Sequence, residues 1–354
     1  MPRERIVSPE SQGPEEEGAS LALRPKRLDE VIGQRDLCEK LTIAIQAARQ
    51  RKEPLEHLLF HGPPGLGKTT LAHVVAAEMG AGIKTTSGPA LTRPADLVGI
   101  LTNLQRGDVL FIDEVHRLGP VVEEFIYPAM EDFRIDITVD RGSFARTINV
   151  PLQPFTMIGA TTRAGFLSAP LRERFGIFHH FTFYPESDLT EVARRTARLL
   201  SVEIEEEALG EIARRSRGTP RVCIRLMRRV RDFAQVKGDG RVTTPLAREA
   251  LEMEAVDARG LDALDRKFLE TLIGTYEGGP AGIEALAATL NEEVDTLVDM
   301  VEPYLLKIGY VARTRQGRTA TAAAYEHLGA TPPIGRKNDA KKSGREPDLF
   351  GDAP

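Results

Sequence analysis

The sequence predicts an α/β domain with a mostly parallel sheet, then an all-α domain, then a winged-helix domain. Three observations predict it. Between Leu21 and Pro185, short apolar runs alternate with helical patterns, the rhythm of strands joined by crossover helices. From Glu186, Leu189, Val192, Ala193, Thr196, Leu199 and Leu200 recur at three- and four-residue spacing, with no strand signal between them. Past Gly260, three amphipathic stretches lead into a short basic hairpin. The 354 residues fit this division at roughly 100–200 residues per domain. The expected bounds are 21–185, 186–257 and 258–332.

The elements follow in order. Residues 1–20 are polar, acidic and Pro/Gly-bearing, without the apolar core of a signal peptide, and are expected to form a disordered leader. Buried strands are expected at Leu58–Phe60, Val109–Ile112 and Phe155–Ala160. Within 133–152, Phe133, Ile135, Ile137 and Val139 alternate with polar residues; a turn at Arg141-Gly142 follows, and Ile148, Val150 and Leu152 alternate in turn. That pattern is a β-hairpin with an apolar tip at Phe144. In the helical block, Arg221–Phe233 carries a stripe of Val222, Leu226, Val230 and Phe233. The last block offers a helix through Leu261, Leu264, Phe268, Leu272 and Ile273, a second at Ile283–Leu290 and a third at Val294–Leu306. Residues 333–354 are polar again and expected to be disordered, with one apolar island at Asp348-Leu349-Phe350.

Bulk properties narrow the function classes. A net charge of -5 gives no whole-chain signal for nucleic acid, so any DNA-binding surface has to be a local patch. The two cysteines, Cys38 and Cys223, sit in apolar helical patterns without ligand spacing, which speaks against disulfides and structural zinc. His179-His180 reads as a strand-end pair. No run approaches the roughly 18–20 apolar residues of a membrane helix. A cytoplasmic protein without membrane contact is expected.

Gly62-Pro63-Pro64-Gly65-Leu66-Gly67-Lys68-Thr69 is a P-loop, and it follows a predicted strand as the motif requires. Its glycines turn backbone N–H groups toward phosphates at the start of a helix. Lys68 neutralises β/γ-phosphate charge, Thr69 is suited to ligate Mg²⁺, and Thr70 adds a phosphate contact. Some forty residues on, Val109-Leu110-Phe111-Ile112 carries Asp113 and Glu114 to its C-terminal end, where α/β sheets place ligands. Asp113 is expected to hold the metal through water. Glu114 is the candidate base for the attacking water. The third strand ends in Thr161-Thr162-Arg163, and Thr162 is the candidate to sense the γ-phosphate or position water.

These motifs continue in order with Leu171-Arg172-Glu173-Arg174-Phe175 and Gly218-Thr219-Pro220-Arg221. The series resembles the AAA+ superfamily of ring ATPases. The stretches Leu23-Arg24-Pro25-Lys26, Val115-His116-Arg117-Leu118, Tyr127 to Asp132 and Ile158 to Gly165 bring it closer, to the bacterial RuvB family, over roughly Leu21 to Pro333. The resemblance implies an ATP- and Mg²⁺-dependent hexameric motor that branch-migrates Holliday junctions in recombination, repair and the SOS response. It makes Arg174 the arginine finger reaching a neighbouring subunit's nucleotide and Arg221 a second sensor on the lid. Leu23, Arg24 and Tyr184 become adenosine contacts, and Glu131-Asp132-Phe133 a segment near the nucleotide. It further implies that hairpin 133–152 engages RuvA, with RuvC an indirect partner.

The wing Tyr310–Thr319 holds Arg313, Arg315 and Arg318 and no acid. Alternation places Arg313 and Arg315 on one face, with Gln316-Gly317 as the turn, a ribbon fit for duplex phosphates. Val294 stands where relatives carry a basic residue and is left out of this set. Arg225, Arg228, Arg229 and Arg231 are a weaker DNA candidate, expected rather to make ion pairs between domains and subunits. Two other readings of an AAA+ chain are a clamp loader and a protein unfoldase. The first lacks its four-cysteine zinc module here. The second lacks an aromatic pore loop, since Gly80–Gly107 contains no aromatic residue.

Overall fold

The structure, a computed structural model, describes residues 23–139 and 146–332. The expected leader and tail, and the hairpin turn with Arg141, Gly142 and Phe144, lie outside the described residues. The chain divides into two compact units, one through Ala263 and one from Leu264. The division falls a few residues after the expected boundary for a local reason. The Asp257 amide donates to the Leu261 carbonyl. Gly260, at φ 76°, lies so close to Arg215 that a Cβ would stand 2.6 Å from its carbonyl oxygen.

In the first unit, α1 (Arg35–Arg51) buries Leu37, Leu41, Ile45 and Ala48, one stripe at helical spacing. It precedes β1 (Leu58–His61), the P-loop and α2 (Lys68–Met79). Next come β2 (Ile83–Ser87), α3 (Pro94–Leu101), β3 (Val109–Asp113) and α4 (Pro120–Glu131). The hairpin of β4 (Arg134–Val139) and β5 (Arg146–Pro151) follows, then β6 (Thr156–Thr161), α5 (Ala169–Glu173) and β7 (Ile177–His180).

The main sheet has the order β2-β3-β6-β1-β7 and every pair is parallel. Buried side chains on both faces explain why its inner strands read as unbroken apolar runs. Two core clusters fill those faces. One runs from Phe60, Phe111 and Ile158 into the helical lid; the other gathers Leu59, Ile112 and Met157 with α3 to α5. The order matters for the site: β6 lies between β1 and β3, so the P-loop, the threonine tip and the Asp-Glu pair emerge along one edge.

The lid comprises α6 (Glu186–Leu199), α7 (Glu206–Arg215), α8 (Pro220–Lys237) and α9 (Thr244–Met253). Val222, Leu226, Val230 and Phe233 are buried along α8, the stripe their spacing predicts.

The second unit opens with α10 (Ala263–Gly274) and α11 (Ile283–Leu290). The expected third helix is α12 (Val294–Thr296), a π-helical turn at Leu297–Val301 and α13 (Glu302–Lys307). A wing of antiparallel β8 (Val311–Thr314) and β9 (Gly317–Ala320) leads to α14 (Ala322–His327). Phe268, Leu272, Leu286, Leu297 and Leu305 are fully buried at its centre.

Candidate active site and nucleic-acid interface

The P-loop backbone needs two of its glycines for separate reasons. Gly62 holds φ 135°, and a Cβ there would lie 2.5 Å from the Phe181 carbonyl oxygen. Gly67 caps α2 at φ 98°, a left-handed conformation that favours glycine. Lys68 then begins α2, buried, with its ammonium donating to the Gly62 and Pro63 carbonyls at 2.7 and 2.8 Å. Burial pulls its pKa down to about 8; nearby Arg221 adds to that fall and Asp113 opposes it.

The Thr69 hydroxyl donates to Asp113 Oδ2 at 3.4 Å, while the Glu114 amide holds Asp113 Oδ1 at 2.9 Å. A hydroxyl and a carboxylate converging from two elements form the hard-oxygen pair that suits Mg²⁺, which keeps most of its waters. Glu114 takes φ 47°, turning the chain sharply after β3, and its carboxylate lies 3.6 Å from Arg117. Between these groups, Thr161 is buried and shares a hydrogen bond with His116 Nδ1 at 2.9 Å. Its hydroxyl also accepts the Arg163 amide. Thr162, one residue past β6, makes no hydrogen bond with a described residue. His116 is a partner that sequence spacing did not reveal.

The lid closes over this edge. The Arg221 amide approaches the Gly65 carbonyl at 3.4 Å, and the Tyr184 amide donates to Gly218 O at 2.9 Å. Tyr184 is buried, its ring against Gly33 and its hydroxyl donating to the Leu66 carbonyl at 3.3 Å. Leu23 is buried, and its carbonyl accepts from the Arg195 guanidinium of α6. Arg24 lies near His73 of α2, whose pKa falls through burial and that neighbouring charge. Tyr184 and Arg221 thus gather with the P-loop, while Arg24 lies beside the helix that follows it and Leu23 beside lid helix α6. Thr70 lies on the first turn of α2, half-buried.

Arg174, Glu131, Asp132 and Phe133 do not join this group. Arg174 Nη2 pairs with Glu131 Oε1 at 3.0 Å, Nη1 donates to Pro170 O at 2.6 Å, and the guanidinium sits 4.2 Å from the centre of the Tyr127 ring. Its Nε is buried with no acceptor among the described residues. Asp132 pairs with Arg134, and Phe133 packs edge-on against His57 and Phe155. Arg174 and Phe133 line one hollow with Pro54, Leu55, Glu56 and His57, residues that precede β1. Glu131, Asp132 and Phe133 thus lie at the entry end of β1, whereas this chain's own P-loop starts beyond its exit. His57 is tied there by the Met157 amide and the Met130 carbonyl.

Residues 23–181 match the family model described as the Holliday junction DNA helicase RuvB P-loop domain. Residues 184–257 match the RuvB AAA lid domain, and 258–329 the RuvB C-terminal winged helix domain. The chain belongs to the RuvB family. It resembles the solved Thermotoga maritima RuvB Holliday junction branch migration motor at 51% identity, covering 88% of this chain and 100% of that one, with a TM-score of 0.81. Two solved point mutants of that Thermotoga protein match at 51% identity and TM-score 0.82, over 88% of this chain and 100% and 99% of theirs. As a RuvB protein it is an ATP-dependent Holliday-junction helicase and hence an ATP hydrolase, which displaces the clamp-loader and unfoldase readings. No helix among the described residues is long and apolar enough to cross a membrane.

The RuvB winged unit departs from expectation at the wing. Its turn is Arg315-Gln316, one residue earlier than the spacing predicts. Gly317 belongs to β9, where a Cβ would stand 2.4 Å from the Ala281 carbonyl oxygen. Arg313 therefore does not share a strand face with Arg315; it pairs across the ladder with Arg318. Both guanidiniums converge on Glu302 at the start of α13. Arg313 donates from Nε and Nη2 at 2.7 and 2.6 Å, and Arg318 at 2.8 and 3.2 Å. Burial raises the Glu302 pKa, but the four charged donors outweigh it and hold the carboxyl below its usual range. The wing is not free of acids once the fold is formed. In the sequence Glu302 is one more carboxylate on the stretch that carries Asp295 and Asp299, with nothing local to link it to the wing.

Proposed function

We propose that this chain works as a hexameric ring in the cytoplasm, hydrolysing ATP with Mg²⁺ between subunits to pump duplex DNA and branch-migrate Holliday junctions during recombination and repair. The observation that carries the reading is the placement of Arg174 beside the residues that lead into β1, whereas Lys68 lies beyond its exit. From His57 to Gly62 is about 16 Å of extended chain at about 3.3 Å per residue. An arginine so far from its own phosphates suits a neighbour's, and a finger supplied in trans needs a closed ring.

In this reading Lys68 exchanges its two carbonyl partners for phosphate oxygens, and Gly62, Gly65 and Gly67 turn backbone N–H groups toward them. Thr70 supports the same phosphates. Thr69 and Asp113 hold Mg²⁺, which when bound neutralises charge on the β- and γ-phosphates. Glu114 orients and deprotonates the attacking water, and Thr162 monitors the γ-phosphate. Leu23, Arg24 and Tyr184 take the adenosine. Arg174, with Glu131, Asp132 and Phe133 beside it, serves the next subunit's nucleotide. Arg221 couples the phosphates to the lid. RuvA docks on hairpin 133–152, RuvC joins through that complex, and the winged unit holds duplex.

The test is ATP-driven dissociation of a synthetic four-way junction with RuvA added. Wild type should need both ATP and RuvA, and Glu114→Gln should stall. A wild-type chain that hydrolyses ATP but moves no junction would overturn the proposal.

A further inference from the structure

Thr161, the last residue of β6, bonds to three different parts of the site. Its carbonyl accepts the Gly62 amide at 3.1 Å, beside its ladder partner His61 at the end of β1. Its hydroxyl oxygen accepts the Arg163 amide at 2.9 Å and meets His116 Nδ1 at 2.9 Å. With one lone pair taken by that amide, the hydroxyl keeps a proton to give and a lone pair to receive. It therefore bonds His116 in either tautomer. Thr161 is only 1% exposed, so these partners and not solvent satisfy its hydroxyl.

His116 stands two residues after Glu114. Glu114 takes φ 47°, a left-handed backbone that is uncommon outside glycine and persists only where the surroundings impose it. The Arg117 amide closes the next turn on the Glu114 carbonyl at 2.8 Å, and the His116 ring fastens that same turn to β6. The second arm is local. A bond from the Arg163 amide back to the Thr161 hydroxyl folds the chain over the residue between them, Thr162.

Resting on the reading of Glu114 as the base and Thr162 as the γ-phosphate monitor, we propose that Thr161 is a positioning residue for hydrolysis. It acts on Glu114 through His116 and on Thr162 through the Arg163 amide. It touches no reacting atom. What it sets is the relative placement of three strand exits: the P-loop after β1, the base after β3 and the monitor after β6. Such placement has a large lever on rate, since a shift of about 1 Å in a reacting group costs about 10²-fold.

The experiment measures ATP turnover and affinity for a fluorescent ATP analogue separately, on the full chain with duplex DNA. Thermal melting establishes that each variant folds. Thr161→Val keeps the branched shape and removes the hydroxyl. Its kcat should fall by about 10–100-fold while analogue affinity stays within about twofold of wild type. Thr161→Ser returns the hydroxyl and should recover most of the loss. His116→Ala should lose kcat in the same way, and His116→Asn, whose amide can stand where Nδ1 stood, should recover part of it. In a Glu114→Gln background His116→Ala should cost nothing further, because it acts through that carboxylate. A folded Thr161→Val with wild-type kcat would overturn the proposal. So would equal losses of affinity and turnover, the result of a general loosening of the site. If Thr161→Val does not fold, His116→Ala decides alone: wild-type kcat, or a full further loss in the Glu114→Gln background, overturns the link to Glu114. Normal hydrolysis by Glu114→Gln itself would instead overturn the underlying reading of the base.

Discussion

Arg174 and Lys68 flank the two ends of one strand: the arginine lies with Pro54 to His57 before β1, and the lysine starts the helix after it. Arg174→Ala should therefore retain nucleotide binding and lose turnover, by roughly 10³–10⁵-fold if it acts as other trans arginines do. Lys68→Ala should lose binding. Mixing the two inactive proteins is the decisive measurement: ATPase activity should reappear where an intact finger meets an intact P-loop. No recovery at any mixing ratio, with mixed rings shown to form, would place the finger in cis.

The Lys68 pKa of about 8 sets a pH dependence for nucleotide binding. The protonated ammonium attracts phosphate, and below about pH 8 it is already charged, so affinity should be flat there. As pH rises past about 8 the free site loses its proton, and affinity should fall by up to about tenfold per pH unit until the bound state's higher pKa is reached. Titrations of an ATP analogue between about pH 7 and about pH 9.5 would show it. A flat profile would mean that Lys68 stays charged throughout.

Glu114 is half-exposed and among the described residues its carboxylate pairs with Arg117 at 3.6 Å, so its replacement should disturb little else. Glu114→Gln should bind ATP as wild type does and slow turnover by about 10²–10⁴-fold. Single-turnover hydrolysis separates the two. Unaltered turnover would move the base to another residue.

Gly62→Ala tests the backbone rather than a side chain. The new Cβ would meet the Phe181 carbonyl at 2.5 Å, on a residue at φ 135°. Strain of about 1–3 kcal/mol is expected in a thermal or denaturant melt, with nucleotide affinity reduced as the loop shifts. A wild-type melt and affinity together would show that the chain at Phe181, just past β7, yields.

The parts legible in the sequence are those coded locally. The P-loop and the Val109–Glu114 strand carry both their element and their chemistry within a few consecutive residues, and the structure places them along one edge. Strand β2 escaped notice because Ile83-Lys84-Thr85-Thr86-Ser87 lies at the sheet's edge, where polar side chains face outward. The wing was misread for the opposite reason. Its arginines look free when only neighbours in sequence are counted, yet Glu302 reaches them from another element. Likewise, nothing local in Glu131-Asp132-Phe133 says at which end of the sheet the segment falls.

The approach of the Arg221 amide to Gly65 gives α8 the character of a crank. Its 18 residues make a rod about 27 Å long, so a tilt of about 10° at Pro220 sweeps Lys237 through about 5 Å. A sub-ångström adjustment of the phosphate loop that tilted α8 would be magnified by leverage alone, before any side chain of the lid changed its partner.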